Sequence, residues 1–173
     1  MSQPIAGVQR AFVLALFAGL LATSTLQAAE PAKPPKPPAG DAAARRDVEA
    51  AMQQYTTLLR TGPPEAVAAL FTADGALLEP GMAPLKGPEA IRAFLAPIFT
   101  AFEVQTASTE TETIEVFGRT AYQWGTYSQK VASKGKPASD YHGRYVASWH
   151  READGRWRLA RMLVQPFPPG AAP

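Results

Sequence analysis

Glu79 is the residue whose placement raises a chemical question. It closes the stretch Gly75-Ala76-Leu77-Leu78-Glu79-Pro80, where apolar residues read as a short buried strand and the acid stands locked before a proline. Such a carboxylate is either a solvated loop charge or an acid at the mouth of a pocket. In a mostly apolar pocket the charged form is disfavoured, so the group can take up and release a proton.

The remaining chemical side chains exclude more than they suggest. His142 and His150 are the only histidines, eight residues apart on one expected strand. That is about 27 Å along an extended chain, too far to chelate one metal, and neither HxxxH nor HExxH spacing occurs. With no cysteine in the chain, a thiolate metal site and a disulfide framework are also excluded. No Gly-rich phosphate loop or nucleophile elbow is present. The 17 basic and 15 acidic residues give a formal charge of +2 and are scattered, whereas a nucleic-acid protein needs a concentrated basic face. Neither a metal, a cofactor nor a nucleic-acid partner is expected.

The elements that must position Glu79 can be read from periodicity. Asp41 is placed to cap a helix in which Val48, Met52, Tyr55 and Leu59 recur at spacings of four, three and four, with Gly62 as its stop. "PPEAVAALF" restarts a short helix with Pro64 in its first turn. "TADG" then turns the chain into the "ALLE" strand, and "GPEAIRAFLAPIF" forms a third helix disturbed by Pro97. After Phe102 four alternating segments follow, separated by "GR", "SKGKPAS" and "ADG" turns, as in an antiparallel meander. The expected fold is α+β: a cone-shaped, curved antiparallel sheet wrapped around three N-terminal helices, with an internal cavity.

Ahead of this domain the chain reads as an export leader. Arg10 precedes an apolar run from Ala11 to Ala22, and "TSTLQAAE" offers small residues for cleavage after Ala28 or Ala29. The run is shorter than the ~20 residues that span a bilayer, so no membrane association is expected after cleavage. The division is a signal peptide at 1–29, a Pro-rich linker at 30–40, the folded domain at 41–166 and a Pro-rich tail at 167–173. A periplasmic or secreted location follows.

The segment "AALFTADGALLEPGMAPLKGPEAIRAFL", together with the closing "GRYVASWHREADGRWRLARM", resembles the nuclear transport factor 2-like superfamily in its SnoaL-like and ketosteroid isomerase-like branches. The resemblance covers about Val48 to Gln165. It implies an acid–base pair. In the isomerases the base is an Asp directly before a proline at this strand end, here Glu79 before Pro80. An oxyanion-hole tyrosine lies on the apolar face of helix one, here Tyr55, 24 residues upstream. A phenol there can hydrogen-bond an oxygen on which negative charge develops. The isomerases also use a protonated Asp on a late strand; the matching position here is near Ala147, flanked on its face by Tyr145 and Trp149, and none of these is a carboxylate.

The aromatic strand faces complete the reading. Tyr122, Trp124 and Thr126 share one face, while Gln123 and Tyr127 share the other. Period-two patterning does not say which face is inside. Trp124, Ala147, Trp149 and Met162 are expected to face the cavity and hold a small apolar or aromatic molecule. The surplus of apolar residues on the sheet is expected to pair with a second copy of the chain. The functional expectation is an exported domain that binds such a molecule and, if an enzyme, acts as a cofactor-free isomerase, cyclase or dehydratase. The alternative is a non-catalytic periplasmic binding or interaction module.

Overall fold

The structure, a computed structural model, describes residues 39–133 and 135–168. The expected leader and nearly all of the linker lie outside the described residues, as does most of the tail.

Helix α1 (Ala39–Thr61) forms where the apolar spacing required it. Val48 and Met52 are completely buried and Tyr55 nearly so, which puts one continuous stripe against the sheet. Asp41 lies inside the first turn rather than at the cap, where its charge still meets the positive end of the helix dipole. The Gly62 amide donates to the Leu58 carbonyl at 2.9 Å as the helix stops. Helix α2 (Pro64–Ala68) opens on Pro64, whose missing donor costs nothing in a first turn. Helix α3 (Gly87–Ala101) runs through Pro97 without ending.

The six strands are β1 (Phe71–Leu78), β2 (Leu85–Lys86), β3 (Phe102–Phe117), β4 (Thr120–Ser133), β5 (Ser139–Arg151) and β6 (Trp157–Pro166). They make one curved, unclosed sheet in the order β2-β1-β6-β5-β4-β3, with the helices packed on it. The meander from β3 to β6 is antiparallel throughout. The strand that delivers Glu79 differs, because β1 lies parallel to β6, so the sheet is mixed. "TADG" is also no separate turn. Thr72 to Gly75 lie within β1, where the register with β6 shifts between Phe71 and Ala76. Thr72 Oγ1 donates to Asp74 Oδ1 at 2.9 Å across the irregular stretch.

Two further irregularities decide which side chains reach the interior. Trp149 pairs with Leu159 but Ser148 pairs with Arg161, so Ala160 is the extra residue of a bulge. Leu159 and Met162 are three apart, yet both are buried. Strict alternation would have put them on opposite faces. In β3 the shift between Thr111 and Thr113 likewise lets Thr111 and Ile114 share the inner side. The resulting core joins Val48, Met52 and Tyr55 of α1 to Phe71, Leu77, Ile91, Trp149, Leu159 and Met162. Each large side chain removed from water there contributes about 1.5–3 kcal/mol.

Candidate functional site

Glu79 follows the last residue of β1, Leu78, which pairs with Leu163 of β6. Buried Leu77 anchors the strand end, and Glu79 follows it half-buried. Burial raises its pKa above the ordinary carboxylate range, because removing the carboxylate from water penalises the charged form.

Tyr55 lies opposite, on α1. Its ring meets the edge of Phe71, with centroids 6.4 Å apart and planes at 73°, a favourable T-shaped contact. Burial, and secondly the charge of Glu79, hold its phenol far above the usual tyrosine range. The structure therefore brings the two expected site residues within electrostatic reach of one another. Tyr55 stays a neutral O–H donor at any physiological pH, beside an acid whose proton is held more tightly than usual.

Tyr127, which the sequence reading did not select, also feels the Glu79 charge. It lies half-buried on the inner face of β4 and packs against the core. Burial and then the Glu79 charge raise its pKa as well.

The expected lining residues divide. Ala147, Trp149 and Met162 are buried on the inner face. Trp124 is not among them. It pairs with Val146, which is 48% exposed, whereas its neighbour Gln123 pairs with buried Ala147. The register thus turns Trp124 to the outer face and Gln123 to the inner one. Trp149 and Ala147 sit deep in the filled part of the interior. Neither of two surface cavities, of about 480 and 450 Å³, includes Glu79 or Tyr55. The first opens on the outer side beside Tyr122, Ser148 and His150, the second between α1 and the Arg156–Arg158 segment.

A polar network that the sequence reading also missed ties helix to sheet. The Trp149 Nε1–H donates to Gln123 Oε1 at 2.9 Å. Gln123 Nε2 donates to Thr111 Oγ1 at 2.9 Å and to Glu49 Oε2 at 3.2 Å. Thr111 Oγ1 donates to Glu49 Oε2 at 2.7 Å. With its proton used there, Thr111 must accept from the Tyr145 hydroxyl, 3.1 Å away. The acceptor-only carboxylate sets the polarity of the whole chain. Arg45, one turn before Glu49, donates from Nη1 to the Ile114 carbonyl. These bonds fix α1 against β3, β4 and β5, and α1 carries Tyr55. The available signal was Gln123 itself, an amide alternating with Ala121, Gly125 and Tyr127 on the face that proved internal.

Among the described residues no group of three His, Cys, Asp or Glu side chains is gathered as a metal site. His142 and His150 both lie on the outer face, paired with Ser128 and Thr120.

A model of the family described as "SnoaL-like domain" matches residues 40–163. The chain belongs to the SnoaL-like domain family. A search of curated proteins finds no match, but solved structures share the fold. A ketosteroid isomerase-like protein from Erwinia carotovora atroseptica superposes with a TM-score of 0.64 at 20% identity, covering 72% of this chain and 96% of that one. A scytalone dehydratase candidate from Novosphingobium aromaticivorans gives 0.64 at 22% identity, covering 77% and 97%. A conserved protein from Planctomyces limnophilus gives 0.65 at 23% identity, covering 73% and 99%. At these identities the likeness concerns the fold alone.

Proposed function

We propose that this SnoaL-like domain binds a small, mostly apolar carbonyl compound between Glu79 and Tyr55, and moves a proton next to the carbonyl. The observation that carries this reading is the placement of a half-buried carboxylate at the end of β1 with a buried phenol on α1 on which its charge acts. Glu79 acts as the base and Tyr55 donates to the carbonyl oxygen as charge develops there. Isomerisation, cyclisation and dehydration all begin with that step, and none of these side-chain roles calls on a cofactor.

The test is hydrogen–deuterium exchange at the acidic carbons of flat aromatic ketones such as 2-tetralone, followed by NMR in D2O. The wild-type protein should accelerate exchange over buffer, and Glu79→Gln should not. Equal rates for the two proteins would remove Glu79 from the role.

A second reading, a non-catalytic binding module, is favoured by Ala147, which puts a methyl group near the position where the isomerases carry a second acidic donor. Ligand binding detected by thermal shift, with no exchange in any ketone tried, would select it.

Export to the periplasm or medium is part of the proposal and rests on Arg10, the apolar run that follows and the small residues up to Ala29. Mass spectrometry of the exported protein should find a chain beginning at Ala29 or Glu30. A full-length, membrane-bound species alone would refute export by cleavage.

A further inference from the structure

We propose that the cavity on the outer face of the sheet, where the irregular stretches of β1 and β6 meet, binds a neutral sugar ring between Asp74 and Arg161. The site stands apart from Glu79 and Tyr55 and does not depend on the acid–base reading.

The backbone builds this cavity. Between the pairs Phe71–Leu159 and Ala76–Arg161, four residues of β1 stand against one of β6, Ala160. Ala160 is also the extra residue against β5. Bulges re-aim side chains and are concentrated beside functional sites. This one is tightly closed. A Cβ on Gly75 would lie 2.9 Å from the carbonyl oxygens of both Leu159 and Thr72, so any larger residue would have to displace backbone. Arg161 fastens the stretch, because its Nη1 donates to the Asp74 carbonyl at 3.0 Å and to the Ala160 carbonyl. The space left measures about 480 Å³, and its walls include Asp74, Tyr122, Ser148, His150, Glu152 and Arg161. Ligand pockets commonly span ~300–1,000 Å³.

What these walls leave unused defines the ligand. The two carbonyls occupy Nη1 of Arg161, while its Nη2 stands 3.9 Å from Asp74 Oδ2, too far for a hydrogen bond. Thr72 donates to the other carboxylate oxygen, Oδ1, at 2.9 Å and holds the Asp74 carboxyl below the usual carboxylate range. Among the described residues, Oδ2 and Nη2 are thus a neighbouring acceptor and donor with no hydrogen-bond partner. A hydroxyl group suits that pair, because it donates to a carboxylate and accepts from a guanidinium at once. An anion would meet Asp74 and Glu152, and a cation would meet Arg161.

The neighbouring side chains call for several hydroxyls on one ring. Ser148 is in register with Arg161, and His150 follows two residues along β5 on the same face. A hydroxyl and an imidazole add both donor and acceptor capacity. Tyr122 is in register with Ser148 and 45% exposed. Phe117 meets its ring edge-on, with centroids 6.2 Å apart. The face of such a ring carries negative charge density and attracts polarised C–H bonds, which a sugar presents on the flat side of its ring. The cavity begins one outer-face position beyond the exposed apolar pair Val146 and Leu163, neither of which lines it.

The test is titration of 15N-labelled full-length protein with glucose, galactose, N-acetylglucosamine and cellobiose at millimolar concentration, read from the amide shifts. At least one sugar should give saturable shifts gathered at Asp74, Ser148, His150 and Arg161. Binding of a monosaccharide or of cellobiose supports the proposal, and the tighter of the two tells a free sugar from the end of a chain. Asp74→Asn keeps an acceptor for Thr72 and puts an N–H donor where Oδ2 accepted. It should weaken binding roughly tenfold or more, the worth of a hydrogen bond to a charged group. Tyr122→Ala should weaken it too, and amide spectra unchanged away from the cavity show that both variants fold. Glu79→Gln should bind sugar as the wild type does, and a loss there would overturn the separateness of the site. No saturable shift with any of the four sugars overturns the proposal, as does an Asp74→Asn protein of wild-type affinity. Sodium phosphate producing the same shifts would make this an anion site. The same shifts on dilution alone would assign the cavity to contact between copies. Either result overturns the sugar assignment.

Discussion

The Trp149 indole donates to the Gln123 side-chain carbonyl at 2.9 Å, and both residues are inaccessible to solvent. That bond joins adjacent strands β5 and β4 from the inside. Gln123 then passes its own donors to Thr111 and Glu49. A fully buried amide is tolerable here because its oxygen and its nitrogen are both satisfied.

Replacing Gln123 with Leu keeps most of the volume and strands the indole N–H. The expected cost is about 1–3 kcal/mol, the penalty of leaving a buried donor unpaired. Urea unfolding of the variant measures it. A loss below ~0.5 kcal/mol would mean the network contributes little net stability.

Glu79 should give the protein an unusual pH dependence. Its pKa is raised in the folded state, so the native protein binds this proton more tightly than the unfolded chain. Stability from this group is present below the unfolded carboxylate pKa of roughly 4.3. It is lost as pH rises through the higher folded value. Glu79→Gln should therefore be more stable than wild type near neutrality, with the advantage vanishing in acid. Thermal melts of both proteins across that range check the sign. A variant less stable than wild type at neutral pH would mean that Glu79 has a partner.

Tyr55→Phe should be nearly neutral for folding. The ring supplies the contact with Phe71, and the hydroxyl has no partner among the described residues. A loss of ~1 kcal/mol or more in denaturant titration would reveal a buried partner for the hydroxyl and count against its use by a ligand.

The outer sheet face should pair with a second copy. Tyr122, Val146 and Leu163 are each at least 40% exposed there, and register puts Tyr122 and Val146 on adjacent strands. Two-fold pairing is the commonest closed assembly. Light scattering at micromolar concentration should give a dimer mass for wild type and a monomer mass for Val146→Asp. A monomeric wild type would overturn the proposal.

The sequence by itself determined the order and kind of the elements. The four-three-four spacing of Val48, Met52, Tyr55 and Leu59 fixed the helix and its buried face, because 3.6-residue periodicity allows one stripe only. Alternation and turn residues after Phe102 marked the meander. The strand end at Glu79 and the helix position of Tyr55 were legible for the same local reason, and the family was visible in the motif around them. Tertiary structure decided what local patterns leave open. Strand alternation is symmetric between faces, so only the Gln123–Ala147 register put Gln123 and Tyr127 inside and Trp124 outside. Bulges at Ala160 and between Thr111 and Thr113 shifted the alternation by one residue, which no propensity signals. The parallel pairing of β1 with β6, and the hydrogen bonds that tie Glu49 to Gln123 and Gln123 to Trp149, join residues remote in sequence. Such contacts arise from sheet curvature and packing, which belong to the assembled chain and to none of its segments.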